Sequence, residues 1–531
     1  MNKTAFGVSL ITRLLLSLCL SVLHQFVNAQ ASLTTVSVYE ARTLPTAAFD
    51  TDRIIIKLVE GTANKNGFIS TQKNTAGHLN SKAMSRFQAL TGTEFEYVRA
   101  AAFGAHVVRL RQTKRLEDVR AITEILARDS TLIEYAEPDI RLFPTITAPN
   151  DPIYETNQWH YKGWSQSGMN LTAGWDYTVG SADTIVAVVD SGVLLEHPDF
   201  DPSRLLPGYD MIEDIPTAND GDGHDPDPTD PGDWVTSDEV APGEEFQGCP
   251  TTDSIWHGTH VAGTVGATTN NSLGVAGVDW RAKILPVRVL GKCGGFLSDV
   301  AAGIIWSAGL PVTGVPANSN PADIINLSLG GSGRCSAYME AAINAVHQVG
   351  TTVVVAAGNS SRNTASYQPA NCDNVIAVAA HDASGFKADF SNAGLEVDIM
   401  APGGGDRPSS CLDTIVSLNA TGATTFEDYG YGCYTGTSMA APHVTGLAAL
   451  MLSLNANLTP DEIEQIITDN ARAFRAGGEC ESAGPNILCG AGIADAEAVL
   501  RAVVEIGNAG LDEPKRFSSA LMWFFIDKPE Q

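Results

Sequence analysis

The sequence predicts an α/β domain built on a mostly parallel central sheet, preceded by a smaller α+β unit. Two observations carry that expectation. From about residue 150 onward, short apolar, largely β-branched runs alternate with helical stretches, the pattern of strands buried on both faces and joined by helical crossovers. Ahead of them, residues 50–142 hold a strand and helix order of a different kind. A length of 531 residues agrees, because one hydrophobic core rarely grows that large.

In the first unit, Arg53 to Val59 (RIIIKLV) reads as a strand and Asn80 to Leu90 as a helix. A weaker strand lies around Phe95 to Val98, and Ala105 to Leu110 (AHVVRL) is a strong one. Leu116 to Ala127 spaces its apolar residues for a helix, and Thr131 to Ala136 is again extended. The order β-α-β-β-α-β is the ferredoxin-like arrangement. Pro144, Pro149 and Pro152 then punctuate a junction. In the second unit the strand runs are Thr184 to Val189, Lys283 to Val289, Ile324 to Leu329, Thr352 to Ala357 and Val375 to Ala379. Helical patterns fall near 257–267, 298–308, 336–348, 438–454 and 460–471. There is no internal repeat.

The charge balance, 33 Lys+Arg against 61 Asp+Glu for a net −28, lacks the basic footprint that phosphate needs. Neither nucleic acid nor an anionic membrane is an expected partner. At the N-terminus, Lys3 and Arg13 precede an apolar run from Leu14 to Leu23. Val27-Asn28-Ala29 and Ala29-Gln30-Ala31 follow, both small-residue cleavage patterns. Residues 1–29 read as a secretory signal, with cleavage after Ala29 or after Ala31; the run is short for a membrane anchor. Beyond Cys19, eight cysteines remain, all after residue 240. An even number in an exported chain reads as disulfides, and the count leaves their connectivity open.

Three segments stand at strand ends or helix starts, where α/β folds place their chemistry. Val186-Ala-Val-Val-Asp190-Ser-Gly192 is a strand ending in a carboxylate and a glycine turn. His257-Gly-Thr-His260-Val-Ala-Gly263 opens a small-residue helix with a histidine. Gly436-Thr-Ser438-Met-Ala-Ala-Pro442-His443 puts a serine at the mouth of a helix whose first turn tolerates proline. A fourth, Val353 to Asn359, ends a strand in glycine and a side-chain amide. A serine hydroxyl needs a base within hydrogen-bond reach to act as a nucleophile. Ser438 would attack a carbonyl, His257 would take and return its proton, and Asp190 would hold the imidazole tautomer. The Asn359 amide and the Ser438 backbone N–H would meet the oxyanion. Other readings are open to single motifs: Asp190 as a turn former, Ser438 as a helix cap, Asn359 as a turn residue, His257 with His260 as a metal pair. The zinc form His-Glu-x-x-His is absent, and so is the Gly-x-Ser-x-Gly elbow of esterases and lipases.

These residues resemble the subtilisin-like serine proteases, the subtilase family. The Asp…His…Ser order and the segments VAVVDSG, HGTHVAGT and GTSMAAPHV match the family's patterns over roughly residues 150–500. The resemblance implies a subtilisin-like three-layer fold for a catalytic domain spanning 148–508, with 509–531 as a short tail. It implies a secreted, monomeric serine endopeptidase acting on proteins and peptides. The ferredoxin-like unit at 50–142 would be its propeptide, an intramolecular chaperone and inhibitor. The enzyme itself would remove it in the Phe143 to Asp151 junction, with Thr147–Ala148 the expected bond. The alternatives are a selective processing protease with few natural substrates and, outside enzymology, a catalytically silent binding protein on the same fold.

By the same resemblance, Ser328-Leu329-Gly330 presents a strand edge to an extended substrate, and Ala356-Ala357-Gly358 lines the opposite wall of the main specificity pocket, with the Ala365-Ser366-Tyr367 region near its base. Small residues on both sides leave room for a large apolar side chain. A structural calcium site is implied, as in thermitase-like subtilases: the loop from Thr268 through Asn271 and Leu273 to Val275, completed by Asp199 and Asp151, all oxygen donors. A second calcium loop is suggested by Asp220, Asp222, Asp225, Asp227 and Asp230, inside a stretch (Glu213 to Glu245) with 12 acidic residues and no Lys or Arg. Sequential disulfides, Cys249–Cys293, Cys335–Cys372, Cys411–Cys433 and Cys480–Cys489, are likewise implied.

Overall fold

The computed structural model describes residues 51–70, 78–140, 148–163, 167–405, 411–482 and 488–512. The signal segment, the Thr147–Ala148 bond and most of the tail lie outside them. The chain forms two compact units, Met1–Pro144 and Thr145–Gln531.

The first unit runs β1 (Thr51–Leu58), α1 (Ser81–Thr91), β2 (Phe95–Ala100), β3 (Ala105–Lys114), α2 (Leu116–Ala127) and β4 (Ile133–Pro138). Its sheet has the order β2-β3-β1-β4 with every pairing antiparallel. That is the ferredoxin-like topology expected from the β-α-β-β-α-β order. Asn80 starts α1 by accepting the backbone N–H groups of Lys82 and Ala83, as an N-cap should. Ile54 and Ile56 from β1 meet Phe87 of α1 and Val119 and Leu126 of α2 in one buried cluster.

The second unit contains β5 (Ile185–Asp190), β6 (Tyr209–Asp210), α3 (His257–Gly266), β7 (Lys283–Arg288), α4 (Leu297–Ser307), β8 (Ile324–Leu327), α5 (Ala337–Gln348) and β9 (Thr352–Ala356). It continues through β10 (Ile376–His381), β11 (Ile399–Pro402), a hairpin of β12 (Ile415–Thr421) and β13 (Asp428–Tyr434), then α6 (Thr437–Leu454), α7 (Pro460–Asp469) and α8 (Ala496–Asp512). Seven strands form one sheet in the order β11-β10-β9-β8-β5-β7-β6, all neighbours parallel. The period of two in β5 makes the three layers. Val186 and Val188 point into the core shared with α3 and α6, while Ala187 and Val189 point into the opposite core against α4 and α5. Helix α6 runs between sheet and neighbours and is buried over nearly its whole circumference, so it is apolar all round.

Three expectations shift, and one hairpin has no counterpart in the sequence reading. The strand predicted over Ile324 to Leu329 leaves the sheet after Leu327, freeing Ser328 to Gly330. Pro442 lies in the second turn of α6, not the first, because the helix begins at Thr437. Helix α8 continues to Asp512, past the expected domain end at residue 508. The β12–β13 hairpin is not evident in the sequence because β13 has no β-branched residue and carries Gly430 and Gly432 between its tyrosines. The four disulfides pair as the resemblance implied. Cys335–Cys372 braces the short ladder in which Gly331–Ser332 pairs with Tyr367–Gln368.

Candidate active site

The site forms at the carboxyl ends of the parallel strands. Asp190 closes β5, fully buried, and its Oδ1 accepts the His257 Nδ1 proton at 2.7 Å and the Ser191 N–H at 2.8 Å. Two glycines allow this approach. Gly192 has φ +100, and a Cβ there would lie 2.7 Å from the Pro228 carbonyl. A Cβ on Gly258 would lie 2.2 Å from the Gly192 carbonyl, so only glycine lets the start of α3 seat against the Asp190 turn. Ser191 ties the two segments together: its Oγ accepts the Gly258 N–H at 3.0 Å and donates to Asp230 Oδ2 at 2.8 Å.

Burial works against a charged His257, but the charge and hydrogen bond of Asp190, with smaller contributions from Asp233 and Asp230, more than offset it and raise its pKa above the ordinary histidine value. His260, one turn on, is a different group. Its Nε2 lies 3.2 Å from the carbonyls of Ile415 and Gly432, and burial pushes it down to about 3. It is a buried histidine whose Nε2 is taken by backbone carbonyls.

Ser438 sits at the second position of α6, behind an N-cap at Gly436. Its backbone N–H is therefore one of the helix donors without an intrahelical acceptor. Ser438 is not itself the cap. Its Oγ donates to the Ser328 carbonyl at 2.9 Å rather than to His257, which corrects the hydrogen bond expected from the triad. A hydroxyl has one proton and one rotatable bond, so it exchanges acceptors readily, and catalytic hydrogen bonds commonly tighten only around substrate. Pro442 contributes here as well. Lacking an N–H, it leaves the Ser438 carbonyl four residues back without a helix partner, and the Ser328 hydroxyl donates to that carbonyl at 2.7 Å.

Asn359 follows β9. Its Oδ1 accepts both the backbone N–H and the hydroxyl of Thr437 at 2.8 Å. With the oxygen so anchored, the Nδ2 hydrogens are the groups left to donate. Thr437, which sequence reasoning missed, also accepts the Gly358 N–H at 3.0 Å and so locks this loop to the start of α6.

Ser438, His257 and Asn359 line a cleft of ≈ 660 Å³ with Ser328, Leu329, Gly330 and Ala356. Ala357 and Gly358 do not line it. Side chains alternate along β9, so Ala357 packs instead with Ala379, Val397 and Met400 in the core, and Gly358 is buried beneath Asn392 and Tyr367. The Tyr367 ring wedges between two glycines. A Cβ on Gly330 or Gly358 would come within 2.5 or 2.7 Å of it.

The two expected calcium clusters differ. Asp151 and Asp199 are 1% and 0% exposed, and neither is ion-paired among the described residues. Burial raises both carboxyls, Asp199 to about 6. Around them, Asp151 accepts the Asn270 N–H, Asp199 accepts the Asn271 side chain and the Val275 N–H, the Thr268 N–H donates to the Asp199 carbonyl, and the Leu273 N–H donates to Asn271. Two buried carboxylates with no ion-pair partner among the described residues fit a hard cation. The acidic loop does not gather in that way. No three of Asp220, Asp222, Asp225, Asp227 and Asp230 bring carboxylate oxygens within 4.8 Å of one another. Asp220 ion-pairs with Arg288, which also pairs with Asp210. Asp222, Asp225 and Asp227 take part in local turns in which Asp220, Asp225 and Asp227 accept nearby backbone N–H groups. Asp230 is committed to Ser191 and the Gly232 N–H.

A parallel seven-stranded sheet, with aspartate on histidine and a serine at a helix mouth beside an anchored amide, defines a serine peptidase of the subtilisin type. Residues 181–492 match the model of the subtilase family, Peptidase S8, and the chain belongs to that family. Among curated relatives it is 45% identical over 408 residues to an extracellular protease of Xanthomonas campestris, spanning 77% of this chain and 66% of that one. It is 37% identical over 470 residues to an extracellular basic protease of Dichelobacter nodosus, covering 87% and 72% of the two chains. A solved protease structure from Pseudoalteromonas arctica superposes with a TM-score of 0.62 at 48% identity, over 67% of this chain and 99% of that one.

Proposed function

We propose that the chain is a secreted serine endopeptidase, made as a zymogen and active on proteins and peptides with a preference for a large apolar residue before the cut bond. The observation that carries the reading is the 2.7 Å Asp190–His257 hydrogen bond in the same cleft as Ser438. Ser438 Oγ bonds to the substrate carbonyl carbon as its proton passes to His257 Nε2, and the carbonyl electron pair moves onto oxygen. The Asn359 amide and the Ser438 N–H hold that oxyanion. Collapse breaks the C–N bond, His257 returns the proton to the departing amine, and water repeats the sequence to release the acid. The apolar preference rests on the small walls, Gly330 and Ala356, and the Tyr367 ring. Peptides with Phe, Leu, Lys or Glu before a chromogenic leaving group test it. Phe or Leu is expected to exceed Lys by at least about tenfold in kcat/KM, the discrimination that an apolar pocket provides. A strict Lys or Arg preference overturns the pocket assignment.

The unit at 50–142 is read as propeptide, chaperone and inhibitor, and the active enzyme as a monomer. Support for export is the N-terminal signal pattern and the names of the relatives. Calcium is proposed at the first cluster alone. Asp151, Asp199 and Asn271 would hold it by side chains and Thr268, Leu273 and Val275 by carbonyls, and the ion would supply charge to two buried carboxylates. Chelation is expected to lower the thermal midpoint by roughly 5 °C, since a ligand bound only to the folded state stabilises it by mass action. An unchanged midpoint in chelator removes the site.

A further inference from the structure

The substrate cleft holds one carboxylate outside the Asp190–His257–Ser438 set. Asp233 lines it beside Ile255, His257 and Leu290, and among the described lining residues there is no Lys or Arg and no other Asp or Glu. Its Oδ1 accepts the Ile255 N–H at 3.0 Å, which holds the carboxylate next to the segment that leads into His257. The turn that carries it is pinned from several sides. Gly232 donates to Asp230 at 2.9 Å and accepts from Asn219 at 2.9 Å. A Cβ at Gly232, where φ is +100, would lie 2.5 Å from the Thr424 carbonyl. The cations on the neighbouring segment are already engaged, Arg288 with Asp210 and Asp220, and Lys292 with Glu239. Asp233 is in no ion pair among the described residues, and no Lys or Arg lines the cleft beside it, so its charge meets only the His257 ring when that ring is protonated.

Where that charge faces follows from strand geometry. An extended substrate paired along Ser328 to Gly330 turns successive side chains to opposite sides. The side chain before the cut bond enters the pocket walled by Gly330, Ala356 and Tyr367. The side chain one residue earlier, at P2, would turn to the other side, and His257, Leu290 and Asp233 line the cleft as its candidate partners.

We propose that Asp233 makes this enzyme select a basic side chain, Lys or Arg, at P2, and reject an acidic one. The aliphatic stem of either residue fits over Leu290 and the half-exposed Ile255, with its charged head at the carboxylate. Burial already raises the Asp233 carboxyl, and the attraction of an arriving cation offsets that cost. The proposal rests on the endopeptidase reading above.

The test is a peptide series with Phe fixed at P1 and Lys, Arg, Ala or Glu at P2, cleaved by the processed enzyme and by Asp233→Asn. Asparagine keeps the oxygen that accepts from Ile255 and removes only the charge. The wild type is expected to cleave the Lys and Arg peptides about tenfold faster in kcat/KM than the Ala peptide, the size of a partly screened charge-assisted hydrogen bond. That ratio should collapse toward one in Asp233→Asn. It should also fall in the wild type between 0.05 and 1 M salt, where the screening length shrinks to about 3 Å. A flat P2 profile in an active wild type overturns the proposal and leaves the endopeptidase reading standing. A uniform loss in the variant with the P2 ratio unchanged assigns Asp233 to supporting His257 and also overturns it. A basic preference that appears only on the leaving-group side misplaces the subsite and overturns it too. No cleavage of any peptide by processed wild type defeats the endopeptidase reading itself.

Discussion

Replacing Ser438 with alanine is expected to lower kcat by roughly 10⁶-fold while leaving the fold intact, a magnitude found when this constellation is broken in a protease of the same family. The change removes one oxygen whose hydrogen bond in this structure goes to the Ser328 carbonyl. The backbone N–H that serves the oxyanion stays in place at the second position of α6. What survives is the contribution of the oxyanion donors and substrate binding, about 10³–10⁴-fold over water. The same variant addresses maturation. If the enzyme cuts its own junction, purified Ser438→Ala remains at the mass of the longer form. Processing of the isolated variant overturns self-cleavage, and a loss of activity below about tenfold overturns Ser438 as nucleophile.

Asp190→Asn is expected to reduce kcat by about 10⁴-fold. The Asp190 Oδ1 serves the His257 Nδ1 proton and the Ser191 N–H together, while its Oδ2 is buried without a partner. An asparagine there has one oxygen and one NH₂. If the NH₂ turns to His257, the ring must present Nδ1 as acceptor and carry its proton on Nε2, the wrong tautomer for a base. The charge is lost as well, and the sign of its effect on pH dependence is fixed. Activity requires neutral His257, whose pKa is raised above the ordinary value because Asp190 outweighs burial. Wild-type activity is therefore lost as pH falls through a midpoint above about 6.5. Without the carboxylate, burial prevails and the acid limb moves to lower pH. A pH profile of kcat/KM for both enzymes reads this directly, and an unmoved acid limb counts against the electrostatic role of Asp190.

The parts of the site legible in the sequence share a local cause. A strand that ends in Asp190 and turns at Gly192, a helix that opens on His257-Gly258, and a helix mouth at Gly436-Thr-Ser438 each state their geometry within a few residues. The β-branched runs gave the sheet because a strand buried on both faces has no polar alternation to hide it. Pro442 was read as a first-turn residue because helix starts are blurred in sequence, and its role in freeing the Ser438 carbonyl needed Ser328, 110 residues away, to be seen.

Read alone, then, the chain gives the candidate nucleophile, base and carboxylate with their order, and the alternation of strands and helices that brings them to the carboxyl ends of one sheet. Only the tertiary structure decided what the acidic loop does. Its spacing suggested a cation cage, yet Asp230 turned to Ser191, 39 residues distant, Asp220 to Arg288, 68 residues distant, and Asp233 to the cleft. It decided also that Ala356 faces substrate while Ala357 faces the core. The physical reason is the same in both cases. A carboxylate's partner and a strand residue's face depend on what the rest of the chain brings alongside, and local spacing carries no record of that.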